Sequence, residues 1–246
     1  MRYFLELAYQ GKAYHGWQRQ PNAVSVQEVI ENALFTLMQR SVEILGAGRT
    51  DAGVHAKQLF AHFDSVKELG EDFIFKLNSL LPQDIAISGL HKVTPQAHAR
   101  FDAVGRSYEY HVIQKKDPFA FDAAHLVKRE LDVDAMNKAA EILLEYRNFK
   151  CFSRSRTDVR TYNCKIEHAY WQRDDNRLIF HIKADRFLRN MVRAIVGTLL
   201  EVGLKKMKVE KLHEIIRSES RSEAGASVPA KGLYLTKVEY PNTIFI

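Results

Sequence analysis

The chain has 246 residues, 46% of them hydrophobic, enough to bury the core of one large domain or two small ones and to exclude disorder as its main state. Lys and Arg number 36 against 30 Asp and Glu; the net charge of +6 attracts polyanions over a broad surface, but fits a mildly basic housekeeping enzyme as well as a nucleic-acid binder. Two cysteines without C-x-x-C spacing, Cys151 and Cys164, exclude a disulfide framework or thiolate zinc site and fit the cytosol.

At the N-terminus, residues 2–9 alternate, with Tyr3, Leu5, Leu7 and Tyr9 on one side and Glu6 on the other, as in a half-buried strand. Glu6 also argues against a signal peptide, and no apolar run approaches the ~20 residues of a membrane span. Ser25-Val26-Gln27-Glu28 is a capping box, and Val26, Val29, Ile30, Ala33, Leu34 and Leu37 continue at helical spacing to about Arg40. Val42 to Leu45, a Gly-rich loop, a strand over Gln58 to Phe63, a helix with Phe73, Ile74, Leu77 and Leu80, and a strand around Ile85 to Leu90 complete an α+β unit.

The second half repeats this pattern. A strand through Tyr108 to Val112 precedes a helix from about Asp134 to Tyr146, and strands over Lys165 to Gln172 and Arg177 to Ala184 are joined by the polar turn Asp174-Asp175-Asn176. A helix from Phe187 to about Val202 stops at Gly203, and a helix over Val209 to Arg217 and a strand over Gly232 to Tyr240 follow. The fold class is therefore α+β: two similar units, residues 1–104 and 105–246, sharing one mixed or antiparallel sheet.

Three segments carry candidate chemistry. Gly46-Ala47-Gly48-Arg49-Thr50-Asp51-Ala52-Gly53 fails as a dinucleotide fingerprint, because Asp51 stands where glycine is required and a strand follows; it fails as a P-loop for want of Gly-Lys-Ser/Thr. It reads either as an ordinary turn or as a carboxylate that Arg49 keeps ionised. The segment Gln10 to Pro21 interleaves Tyr14 and Trp17 with Lys12 and Arg19, beside Gln18; its rings either stack on bases or anchor the loop on the core.

The third is the helix after Asp185. Leu188, Met191, Val192, Ile195 and Leu199 fall on one helical face, with Arg186, Arg189 and Arg193 opposite, either as a solvated face or as phosphate contacts. Ala194 and Gly197 beside Arg193 leave room for close approach. Arg154, Arg156 and Arg160 before it, and Lys205, Lys206, Lys208 and Lys211 beyond it, extend the basic character. The ten histidines lack the spacing of a helical zinc motif, and no G-x-S-x-G exists.

Together the segments Tyr14 to Gln20, Ser25 to Glu28, Gly48 to Ala56, Leu80 to Ala86, Ala99-Arg100-Phe101, Phe187 to Arg193 and Lys231 to Leu235 resemble the tRNA pseudouridine synthase A family over nearly the whole chain. The resemblance implies that Asp51 is catalytic, that Arg49 and Arg193 lie at the active site with Arg193 pairing to the aspartate, and that Tyr108 stacks on the target uracil, with Tyr110 as the alternative. RNA contacts are expected from Tyr14, Trp17, Gln18, Arg19, Arg186 and Arg189. It further implies two α/β halves in one continuous sheet with helices packed on one side, an active-site cleft between the halves, a homodimer, a tRNA substrate modified just 3′ of the anticodon, a cytoplasmic location, and no metal or cofactor. Two departures bear on RNA contacts: Arg189-Asn190 stands where many members carry histidines, and the loop Cys151 to Asn163 is shorter than in many bacterial members.

Overall fold

The computed structural model describes residues 1–154 and 159–246. Its elements in chain order are β1 (Arg2–Tyr9), α1 (Val26–Met38), β2 (Leu45–Gly46), β3 (His55–Asp64), α2 (Phe73–Leu80), β4 (Ile85–Val93), β5 (Gly105–Ile113), β6 (His125–Leu126), α3 (Val133–Ile142), β7 (Ile166–Asp174), β8 (Arg177–Ala184), α4 (Met191–Gly203), α5 (Lys211–Ser218) and β9 (Leu233–Glu239). They form two compact units, Met1–Val104 with Tyr234–Ile246, and Gly105–Leu233. The first unit thus takes in both the stretch up to Val104 and the last stretch of chain.

In the first unit β1 is flanked by antiparallel partners, with Leu5 opposite Ala61 of β3 and Leu90 of β4. β9 joins β3 in parallel, His55 opposite Tyr234. Tyr3, Leu5, Leu7 and Tyr9 are buried as their alternation predicts. The opposite face is apolar too, because Phe4 sits in a ring cluster with Phe60, Tyr240 and Phe245. That packing ties the C-terminal segment to this unit. Helix α1 starts where the capping box places it, Ser25 Oγ accepting from Glu28 N at 3.3 Å. The Glu28 carboxylate lies toward Arg19, 3.7 Å away, and the helix ends at left-handed Gln39, just before the expected Arg40.

In the second unit β8 lies between β5 and β7, both antiparallel to it, with Tyr108 opposite Ile182 and Trp171 opposite Phe180. Asp175, at φ 49, makes the tight turn of the predicted hairpin. Helix α3 packs on β7 and α4, and Asn137 bridges to the Trp171 backbone through both its amide atoms, at 2.7 and 3.2 Å. Helix α4 is buried almost throughout.

Helix α4 begins at Met191, not Phe187. Asn190 precedes it in the left-handed conformation, φ 67, and breaks the helical phase. Arg186 and Arg189 therefore lie on the approach to the helix, only Arg193 is helical, and the expected three-arginine stripe does not form. The space beside Arg193 is also filled by the chain itself, since a β-carbon on Gly197 would collide with the Ala226 carbonyl oxygen. Arg156 lies outside the described residues.

Candidate active site

Asp51 sits half-buried in the turn between β2 and β3. Its carbonyl accepts from Val54 N at 3.2 Å, and Gly53 at φ 78 lets the chain turn there. The segment after β1 forms the wall behind this turn. Gly53 N donates to Tyr14 O and Trp17 N to Thr50 O, both at 3.3 Å, and the Tyr9 and Thr50 hydroxyls share a 2.8 Å bond. Each such bond contributes about 1 kcal/mol net, so their combined effect is to fix one conformation.

Two glycines permit this approach. Gly16 has φ 92, and a β-carbon there would stand 2.3 Å from the Thr50 carbonyl oxygen; one on Gly11 would collide with the Val54 carbonyl oxygen. Gly11 N donates to Nδ1 of buried His55 at 3.2 Å, which sets the proton of the neutral ring on Nε2. The His55 ring stacks on Tyr234 at 4.6 Å and 15°, and the Lys57 ammonium lies 5.5 Å from the centre of the Tyr234 ring. Gly11, Gly16 and His55 were not singled out from sequence. The signal available was the pair of glycines in the Gln10 to Pro21 segment, but nothing in the sequence states that this segment lies against the Asp51 turn.

Of the two readings of this loop, burial favours the anchor over the stacking platform: Tyr14 and Trp17 are 6% and 2% exposed. Tyr14 donates its hydroxyl to Asp84 Oδ1 at 2.6 Å, and burial together with that carboxylate holds the phenol protonated. Trp17 packs over Gly46, where any side chain would clash with the indole. Arg49 is exposed at the rim of the same turn. Gln18 and Arg19 are exposed as an RNA contact requires, with the Arg19 guanidinium 3.6 Å from Glu31.

In the second unit the two candidate tyrosines separate by environment. Tyr110 is fully buried and donates to Pro229 O at 2.8 Å, and burial pushes its phenol pKa up. Gly232 makes room for it, since a β-carbon there would stand 2.8 Å from the ring. Tyr108 keeps partial exposure and meets Phe187 edge-on at 5.2 Å and 90°.

Arg193 Nε donates to Val228 O at 2.8 Å, and Val228 N donates back to Arg193 O at 3.2 Å. Asn190 Nδ2 and Arg221 both reach Ser227 Oγ, at 2.6 and 2.9 Å, so the segment 225–228 locks the start of α4 and the base of Arg193. Arg189, Arg154 and Arg160 are exposed and Arg186 is half-buried. Both cysteines are buried, with thiol pKa values pushed up to about 12 by desolvation.

The α+β fold and the braced carboxylate turn agree with the class of enzyme that the motifs resemble, the pseudouridine synthases. A family model described as tRNA pseudouridine synthase matches residues 7–102 and 139–241, and the chain belongs to that family. It is 50% identical to the tRNA pseudouridine synthase A of Parabacteroides distasonis over 99% of this chain and 98% of that protein. Identity to the Bacteroides fragilis protein of the same name is 51%, over the same shares. A tRNA pseudouridine synthase A 2 of Clostridium perfringens is 40% identical over 96% of this chain and 98% of its own.

Proposed function

We propose that this chain isomerises uridine to pseudouridine in the anticodon stem-loop of tRNAs, at uridines just 3′ of the anticodon, with Asp51 as the catalytic residue. The observation that carries the reading is the half-buried Asp51 turn, clamped on Gly11 and Gly16 within a chain of this family. The reaction breaks the N1–C1′ bond, turns the uracil while it stays bound, and joins C5 to C1′. The C5 proton leaves and N1 gains one, so neither redox change nor energy source is required. A carboxylate serves this chemistry by attacking sugar or base, or by stabilising positive charge at C1′ and removing the C5 proton.

Tyr108 is the stacking partner for the freed uracil, because its ring keeps partial exposure where Tyr110 has none. Arg193 is assigned as an active-site cation, with its Nε end anchored on Val228. Exposed Arg49 is assigned to phosphate, with Gln18, Arg19, Arg186 and Arg189 as further RNA contacts. The enzyme acts as a cytoplasmic homodimer in this reading. No helix among the described residues is long and apolar enough to cross a membrane.

Single-turnover release of tritium from C5-labelled uridine in unmodified tRNA, with the product mapped at base resolution, tests the proposal. Stoichiometric release with product only in the anticodon stem-loop supports it. Product elsewhere would indicate a synthase with a different RNA target, and binding without release would indicate an RNA-binding protein without catalysis.

A further inference from the structure

One surface feature of the second unit is used by none of the roles above. The chain between β5 and β6 carries Phe119 at 96% and Phe121 at 59% exposure. Burying a phenylalanine is strongly favourable, so two such rings held in water forgo substantial stabilisation. Their base is firmly built. Phe119 N donates to Asp117 Oδ1 at 2.8 Å, and backbone bonds join Ala120 to Asp117 and Ala123 to Ala120. Ala120 and Ala124 are buried against Ile113 and Leu126, and the Lys231 ammonium is bonded to the Phe121 carbonyl. The rings project from a fixed turn.

The turn itself carries Asp117 and Asp122, and cations flank it on both sides, with Glu130 beyond them. Lys115 and Lys116 are exposed immediately before the turn. Lys128 and Arg129, also exposed, follow β6, which runs beside β5 with Ile113 opposite Leu126, and Gln114 Nε2 donates to Arg129 O at 3.0 Å. The four cations thus gather at one end of the β5–β6 pair, and the Asp117 carboxylate is turned inward on its own turn. Lysine is depleted from the cores of protein–protein interfaces, whereas aromatic rings among cations match an RNA strand, the rings meeting base faces and the cations phosphates.

We propose that the Phe119–Phe121 turn is a second RNA-contacting surface, stacking on unpaired bases of the tRNA while Lys115 and Lys116 hold the adjoining phosphates. The proposal rests on the tRNA-acting reading above and adds a binding contact outside the catalytic residues. In the full-length protein, the double substitution Phe119→Ala and Phe121→Ala is expected to weaken the Kd for unmodified tRNA by about tenfold or more. At saturating tRNA its single-turnover rate and its mass by light scattering stay those of the unsubstituted protein. Phe119→Trp retains affinity, and its indole fluorescence is quenched on tRNA binding. An unchanged Kd, an unquenched indole, or a Kd loss accompanied by a change in mass overturns the proposal, the last by making the turn a contact between protein chains. Failure is separable from failure of the proposed activity: an unsubstituted protein that binds tRNA but releases no tritium refutes the activity and leaves this contact to be judged by Kd and quenching.

Discussion

Substituting Gly16 by alanine tests the claim that the Asp51 turn is held by the segment after β1. The new β-carbon would stand 2.3 Å from the Thr50 carbonyl oxygen and 3.2 Å from the Asp51 carbonyl carbon, at φ 92. Ordinary contact begins at 3.4 Å, so Thr50 must move by about 1 Å and carry the aspartate with it. A displacement of ~1 Å at a reacting group costs on the order of 100-fold in rate. The left-handed backbone adds about 1–2 kcal/mol of strain, and losing the Trp17 N to Thr50 O bond adds about 1 kcal/mol. Gly48→Ala is the matched control from the same loop, because its β-carbon meets nothing within 4 Å.

The expected outcome for Gly16→Ala is a roughly 100-fold fall in single-turnover tritium release at saturating tRNA, a loss of about 2–3 kcal/mol in urea unfolding, and little change in tRNA Kd. Gly48→Ala leaves rate and stability near those of the unsubstituted protein. Full activity in Gly16→Ala, or equal damage in both variants, refutes the clamp.

Other outcomes follow from the same geometry. Buried His62, near His98 and Arg2, has its pKa lowered from 6.5 to about 4, chiefly by desolvation. The unfolded chain binds more protons between those values, so stability falls as pH is lowered through that window, by about 2 kcal/mol between pH 7 and pH 5. Chemical denaturation at both pH values measures this, and His62→Asn, which keeps an acceptor for Ala99 N, should flatten the dependence. Tyr110→Phe leaves the Pro229 carbonyl without its donor and should cost about 1–2 kcal/mol of stability with little effect on turnover. Tyr108→Ala should lower kcat/KM by tenfold or more, and Tyr108→Phe, which keeps the ring, should restore most of it; equal activity in both removes the stacking role.

What could be read from sequence follows the range of the interactions involved. Periodicity and capping are local, so β1, α1, α2, β8 and the β7–β8 hairpin fall within a residue or two of their expected positions. The start of α4 is not a local property: Phe187 to Asn190 fits helical spacing, but the left-handed Asn190 that interrupts it is held by Ser227, far along the chain. Tyr14 and Trp17 could not be assigned to core or surface by composition, since the choice depends on Asp84 and Gly46. The ordered motifs single out the Asp51 turn as a candidate but not its clamp, which joins backbone atoms of segments distant in sequence. The capture of Tyr234–Ile246 by the first unit depends on Phe4 and Phe60, again beyond any local pattern.

The central claim is that Asp51 carries the chemistry, and Asp51→Asn tests it most directly, since it keeps the shape and removes the charge. Tritium release from C5-labelled uridine in unmodified tRNA, measured in a single turnover with tRNA Kd determined in parallel, should show binding close to that of the unsubstituted protein and no release. Appreciable release by Asp51→Asn, with product at the same uridines, would contradict the account and remove Asp51 from the catalytic role.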